Sequence, residues 1–223
     1  MSARARFITL EGGEGAGKST QGARLKAALE GHGISVCLTR EPGGSPGAEE
    51  IRKLLVQGEP HRWDSLTETL LLFAARADHL AHAVRPALRA GQWVVCDRFT
   101  DSTYAYQGAG RRLDNGIIAA IDEAVAQTFK PDLTIILDVP VEQGLSRAGN
   151  RGDLDTRFER FDRDFHERLR AYFRALAARE PARCVLIDAT GNPDAVSAAI
   201  WEAVSKRFDL PPLRNAREGQ VRS

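Results

Sequence analysis

Short apolar runs alternate with longer stretches of helical periodicity along most of the chain. Residues 7–10, 34–39, 92–96, 133–137 and 184–187 are compact apolar, β-branched runs of strand length, and they predict five strands. Between them the apolar positions recur at three and four. Residues 21–32 put Leu25, Ala28 and Leu29 on one face, and a shorter helix covers 48–56. The longest helix, 66–90, aligns Leu66, Leu70, Phe73, Ala77, Leu80 and Val84 in a stripe that is most simply core. Helices over 115–126, 161–178 and 193–208 complete the pattern. Strands alternating with helices predict an α/β fold, a five-stranded parallel sheet in a three-layer α/β/α sandwich. No linker divides residues 1–208, which read as one domain; the proline-led polar stretch 209–223 reads as a flexible tail.

Chemistry enters between the first strand and the first helix. The stretch EGGEGAGKST, residues 11–20, has Gly12, four intervening residues, then Gly17-Lys18-Ser19, the spacing of a phosphate-binding P-loop. Glycines bring a row of backbone N–H groups close to phosphate oxygens, and the helix N-terminus adds its positive dipole end. Gly12, Gly13, Glu14, Gly15, Ala16, Gly17, Lys18, Ser19 and Thr20 are therefore the expected cradle of a nucleoside triphosphate. Lys18 would reach the β/γ-phosphates, and the Ser19 hydroxyl would take a place on Mg²⁺. The plainer alternative, a glycine-rich turn that happens to carry a lysine, does not explain the strand before the loop and the helix after it.

Composition narrows the class without naming a function. At 223 residues, 43% hydrophobic, 27% charged and net charge +1, the chain has the balance of an ordinary globular protein and gives no support to a nucleic-acid-coating role. No run approaches the ~18 apolar residues of a membrane span, and no apolar segment follows the N-terminal arginines as a leader would require. Cys37, Cys96 and Cys184 sit in or beside apolar runs and lack metal-ligand spacing; they read as small buried hydrophobes in a reducing cytoplasm. The histidines, His32, His61, His79, His82 and His166, share no spacing either.

Further candidates lie where strands end. Arg40 precedes Glu41-Pro42-Gly43-Gly44 at the end of the second strand, and it is either a ligand contact or a surface arginine in a turn. Asp97-Arg98 follows the third strand and Asp138 the fourth. Either carboxylate could occupy the Walker-B place near the metal, and Asp97 is preferred because Arg98 beside it supplies a phosphate ligand. Residues 101–111, DSTYAYQGAGR, can read a polar small molecule, or can be a capped helix start running into a glycine-rich loop. Residues 146–160, SRAGNRGDLDTRFER, interrupt the apolar pattern. Arg147, Arg151 and Arg157 could close over a polyphosphate there as a short lid, about 147–158, unless Asp153, Asp155 and Glu159 pair with them in a solvated loop.

Two anion-binding clusters on one sheet rim suggest two phosphorylated ligands. A phosphate monoester acceptor has its second pKa near ~6 and is already nucleophilic at pH 7, so alignment and charge neutralisation would suffice for catalysis. A nucleoside kinase would need a general base in addition, and a nucleotide-driven switch would need a residue to position water; no such residue is evident.

The series FITLEGGEGAGKST, TREPGG, LLLFAARADH and DRFTDSTYAYQG, in this order and before an arginine-containing lid, resembles that of bacterial thymidylate kinases across residues 6–208. The resemblance implies a cytoplasmic homodimer that transfers the γ-phosphate of ATP to dTMP with Mg²⁺, and no nucleic-acid or membrane partner. It implies that Arg40 and Arg98 hold the acceptor phosphate and that Phe73 stacks on thymine. Arg76 would donate to a base carbonyl, Gln107 would read the pyrimidine edge, and Ser102 and Tyr106 would lie beside base and deoxyribose. Glu14 would stand near the sugar 3′-hydroxyl and the metal, with Ser19 and Asp97 as the other metal-side groups. The P-loop carries Glu14-Gly15 and no arginine, so Lys18, Arg98 and Asp97 would be joined in catalysis by a lid arginine, Arg151 first and Arg147 second.

Overall fold

The structure, a computed structural model, describes residues 4–127, 129–149 and 157–212. Its five strands, β1 (Phe7–Glu11), β2 (Val36–Arg40), β3 (Trp93–Asp97), β4 (Leu133–Asp138) and β5 (Cys184–Asp188), form one parallel sheet in the order β2-β3-β1-β4-β5. The helices are α1 (Lys18–Gly31), α2 (Pro46–Val56), α3 (Ser65–His79), α4 (Arg85–Arg89), α5 (Thr100–Thr103), α6 (Asn115–Ala126), α7 (Val141–Gly149), α8 (Arg163–Arg179) and α9 (Pro193–Phe208).

The pleat decides what each face buries. On β1, Ile8 and Leu10 point with Val95 and Ile135 toward Leu25 and Leu29 of α1 and Val196 and Ile200 of α9. Phe7 points the other way and packs with Val94, Cys96, Leu80 and Val84. Ile136 meets Phe165, Leu169 and Phe173 of α8 on that same side. Central strands covered on both faces read as continuous apolar runs, which is why the strands were legible as such. Asp64, Asp114, Asp162 and Asn192 cap α3, α6, α8 and α9 by accepting backbone N–H groups of the first turn. Because β1 lies between β3 and β4, its carboxyl end opens onto the crevice where open parallel sheets bind ligands.

Four expectations change. The long helix is continuous but carries a π-helical turn at Leu80–Val84 between α3 and α4, and its stripe is not all core. Phe73, Leu80 and Val84 are buried, whereas Leu66 and Leu70 are 41% and 51% exposed. Residues 101–111 do not run into a loop: α5 passes directly into a π-helical turn, Tyr104–Gly110. Gly110 serves there as a packing residue, since a Cβ on it would stand 2.5 Å from the Phe165 ring. The segment beginning at Ser146 is ordered as α7 up to Gly149. Leu210, placed in the tail by its sequence, packs against the core cluster of α1 and α9; the rest of the tail, 213–223, lies outside the described residues.

Candidate active site

The P-loop turns between β1 and α1 with Gly12, Gly15 and Gly17 in the left-handed region. Gly12 shows the need, because a Cβ there would come within 2.5 Å of the Leu137 carbonyl at the end of β4, and at Gly15 a Cβ would meet the Gly144 carbonyl still more closely. Lys18 Nζ donates to Gly13 O at 2.8 Å and Gly12 O at 3.2 Å, folded back over the P-loop. Burial, followed by the nearby Arg98 charge, lowers its pKa to about 8 against the pull of Asp97 and Glu14. An anionic ligand would raise it again.

On the sheet rim Ser19 Oγ donates to Asp97 Oδ2 at 2.7 Å, tying the P-loop helix to the end of β3. A hydroxyl and a carboxylate side by side are hard oxygen donors of the kind Mg²⁺ takes alongside water and phosphate oxygens, so the pair fits that ion. Asp138, the other strand-end carboxylate, is occupied: it accepts from Arg170 Nε at 2.8 Å and from Arg174, and these arginines hold its pKa down against burial.

Beside the P-loop lies a cleft of about 640 Å³, open to solvent and lined by Glu14, Glu41, Arg52, Leu72, Arg98, Tyr106 and Gln107 among others. At one end stands Arg98, a non-glycine residue at φ 72, whose backbone N–H is held by Leu10 O. Its guanidinium donates to Gly12 O at 3.0 Å, Ser102 Oγ at 3.2 Å and Glu14 Oε1 at 3.0 Å, over the Tyr106 ring. Tyr106 donates its hydroxyl to the same Glu14 oxygen at 2.6 Å. Burial would raise the Glu14 pKa, but Arg98, Lys18 and Tyr106 outweigh it and bring it down to about 2. Ser102 Oγ bridges to Glu11, which also accepts the Phe99 N–H at 2.7 Å. Burial, and next the charge of Asp101, raises Glu11 to about 8.

The other end is built on α3 and the π-helical turn. Arg76 is buried, with Nε on Glu41 Oε2 at 2.8 Å and Nη2 on Thr103 Oγ1 at 3.0 Å; Nη1 has no partner among the described residues. Gln107 gives Nε2 to Glu68 Oε1 at 2.8 Å, and its own Oε1 has no partner. One unpaired donor and one unpaired acceptor, both buried, are a cost that a complementary ligand edge would remove.

Several expectations meet a different geometry. Phe73 does not line the cleft: its ring is buried beneath the Arg76 guanidinium, 4.6 Å away, and Leu72, one position earlier on α3, faces the cleft instead. A helix turns by about 100° per residue, so one step in sequence moves a side chain from cleft to core. Arg40 is half exposed and pairs with Glu49 at 3.2 Å, while Arg52, donating to Pro42 O at 2.7 Å, is the arginine of this region in the cleft wall. Glu14 turns toward Arg98 and Tyr106, on the cleft side, and not toward the Ser19–Asp97 pair. Arg147 donates to Ala189 O and Thr190 O at 2.8 and 3.0 Å. It lines a second depression with Gly15, Gly17, Thr20 and Pro193, on the other side of the P-loop. Arg151 lies outside the described residues. Glu11, Glu41, Arg52, Glu68 and Leu72 were not singled out from the sequence. Glu68 stands eight residues, about two turns, before Arg76 on α3, a spacing that could have drawn notice.

A parallel sheet with a P-loop at its rim and a depression on each side of that loop is the arrangement of a P-loop phosphotransferase. The profile of the Thymidylate kinase family matches residues 10–200. The chain is 55% identical over 204 residues to a thymidylate kinase of Caulobacter vibrioides, spanning 92% of this chain and 98% of that one. It is 52% identical over 207 residues to one from a Bradyrhizobium species, spanning 92% of each. The crystal structure of thymidylate kinase from Ehrlichia chaffeensis matches the fold with a TM-score of 0.71 at 33% identity, covering 90% of this chain and 98% of that one. The chain belongs to the thymidylate kinase family, and its activity is that of a dTMP kinase. Among the described residues no helix is long and apolar enough to cross a membrane.

Proposed function

We propose that the chain transfers the γ-phosphate of ATP to dTMP, with the acceptor in the cleft between Arg98 and Gln107 and the donor on the P-loop. The observation that carries the seating of the base is the buried Gln107 Oε1 in the cleft wall, without a partner among the described residues; Arg76 Nη1, behind that wall, is a second such atom. A donor and an acceptor together complement O4 and N3–H of thymine, and oppose the amino group and bare N3 of cytosine.

Arg98 then receives the acceptor phosphate, and its four anchors, Leu10 O, Gly12 O, Ser102 and Glu14, keep it aligned with the P-loop. Lys18 exchanges its carbonyl contacts for the β/γ-phosphates. Tyr106 and Glu14 flank the sugar side of the cleft. Ser19 and Asp97 would hold Mg²⁺, which when bound neutralises charge on the triphosphate and is supplied from solution. The acceptor is itself the nucleophile, so no side chain need remove a proton from it. Arg147, fixed to the Ala189 and Thr190 carbonyls, supports a place at the outer end of the donor site, which leaves Arg151 as the lid arginine to approach the transferred phosphoryl group. A screen of nucleoside monophosphates with ATP, with and without Mg²⁺, tests this: dTMP and dUMP should be phosphorylated only with the metal, and dCMP refused. Equal turnover of dCMP would overturn the seating.

A homodimer is part of the same proposal. Leu66 and Leu70 on α3 and Ile117 on α6 are exposed leucine and isoleucine side chains on two packed helices, a surface suited to an isologous contact.

A further inference from the structure

The amide of Gln107 has a donating end and an accepting end, and only one can be offered to a ligand. Gln107 and Glu68 are both buried, at 1% and 0% exposure, and Gln107 Nε2 donates to Glu68 Oε1 at 2.8 Å. A carboxylate accepts hydrogen bonds and has none to give, so the partner dictates the orientation: nitrogen toward Glu68, oxygen left for the cleft. That oxygen is the buried acceptor without a partner.

Glu68 is itself held in place. Arg111 Nη1 lies 3.0 Å from its Oε1 and Arg157 Nη1 lies 2.5 Å from its Oε2. These are ion-pair contacts more than aligned hydrogen bonds, because Glu68 Oε2 and Arg111 Nη1 lack a well-directed partner. Arg157 is anchored in turn by the carbonyls of Leu55, Glu59 and Pro60, and Arg111 by that of Trp63. Two guanidinium groups, each tied to backbone, thus fix the carboxylate that fixes the amide.

We infer that Glu68 is the positioning residue that sets pyrimidine selectivity, by presenting the oxygen of Gln107, and not its NH₂ group, to the base. The inference rests on the seating of the base against Gln107 proposed above. Thymine and uracil carry N3–H and satisfy that oxygen, whereas cytosine brings an unprotonated N3 and leaves two acceptors facing each other. An unrestrained glutamine could turn its amide by half a rotation and greet cytosine with NH₂. With Glu68 in place, the same rotation sets Gln107 Oε1 against a carboxylate, so the accommodating orientation is closed off.

Glu68→Gln keeps the shape and allows both orientations, since the new amide can accept or donate. The measurement is kcat/KM for dTMP, dUMP and dCMP with ATP. The expected result is a fall of about tenfold or more in the dTMP:dCMP ratio, with the dTMP:dUMP ratio and KM for ATP unchanged. Because removing a charge from between two arginines can unfold a protein, the pair Glu68→Met with Arg157→Met removes the acceptor and a facing charge together and should lower the same ratio. Gln107→Leu separates the two ideas. If it collapses the dTMP:dCMP ratio and adding Glu68→Gln changes that ratio no further, Glu68 acts through Gln107. If Gln107→Leu collapses the ratio while neither Glu68 variant does, the orienting role is wrong and the seating stands. If Gln107→Leu leaves the ratio as it was, the base is not seated on Gln107 and both fall. A proportional loss on all three acceptors in the Glu68 variants makes Glu68 a purely structural residue and overturns the inference.

Discussion

Arg98 Nη2 donates to Glu14 Oε1 at 3.0 Å, joining residues 84 positions apart in the chain and fastening the cleft to the P-loop. The same guanidinium reaches Gly12 O, so the P-loop and Arg98 share one rigid arrangement. In-line transfer depends on that alignment. Lysine at 98 would keep a charge but would gather its donors on one nitrogen, whereas Arg98 reaches Gly12 and Ser102 from Nη1 and Glu14 from Nη2. Arg98→Lys should therefore lower kcat/KM for dTMP by about 10²–10³, the scale for losing one preorganised charge contact. Steady-state kinetics at saturating ATP measure it, and a loss confined to KM for ATP would contradict the assignment.

Leu72 and Phe73 are adjacent in sequence and opposite in consequence. Phe73 is 1% exposed and packs under Arg76, so Phe73→Ala should cost about 3–5 kcal/mol of stability. Leu72 is a partly buried cleft-wall residue, so Leu72→Ala should leave the unfolding midpoint nearly unchanged and raise KM for dTMP several-fold. Denaturant unfolding and KM, measured on both variants, separate the roles. The opposite pattern, with Phe73→Ala folded and defective in dTMP binding, would restore the aromatic stacking that the family motif suggests.

This pair also marks where legibility in the sequence ended. Strand runs such as WVVCD and LTIILD declare themselves because both faces are buried, and EGGEGAGKST because its spacing is set by phosphate geometry. A helix motif such as LLLFAARADH announces that a face matters but not which of two neighbours occupies it; the register is set by tertiary packing of α3 against α2 and α6. Glu68 and Glu41 escaped for a related reason. Their partners, Gln107, Arg157, Arg76 and His79, lie 35 to 89 residues away, and a buried carboxylate has no local signature in the chain. Arg40 was legible as a strand-end arginine, yet its pairing with Glu49 is a property of the following turn and helix.

Glu11 gives a dependence on pH whose sign follows from its environment. Burial, and then Asp101, raise its folded pKa to about 8 from a model-peptide value of 4.5. Between those values the folded protein keeps a proton that the unfolded chain has released. The Glu11 contribution to stability is thus fully present below about pH 4.5 and declines as pH rises toward about 8. Glu11→Gln cannot titrate. The difference in unfolding free energy between wild type and variant should shift in favour of the variant as pH rises from 5 to 8, by thermal or urea unfolding. A difference independent of pH would mean that Glu11 is ionised in the folded protein, balanced by Arg98 and Ser102.

The apolar surface on α3 and α6 supplies a test of assembly. Leu70 is 51% exposed, Leu66 41% and Ile117 40%, and none of them is needed to close the core of a single chain. In an isologous contact each residue counts twice, so burying the exposed half of Leu70 on each subunit contributes about 1.5–3 kcal/mol, or on the order of 10–10² in the dissociation constant. Leu70→Glu should then convert a dimer into a monomer at micromolar concentration in sedimentation equilibrium, with the unfolding cooperativity of the monomer intact. Leu186, 38% exposed on the edge strand β5, is the matched control, since Leu186→Glu alters an equally exposed leucine outside this surface and should leave the association unchanged. If instead Leu186→Glu dissociates the protein and Leu70→Glu does not, the subunits meet along the sheet edge, and the exposed face of α3 has to be explained in some other way.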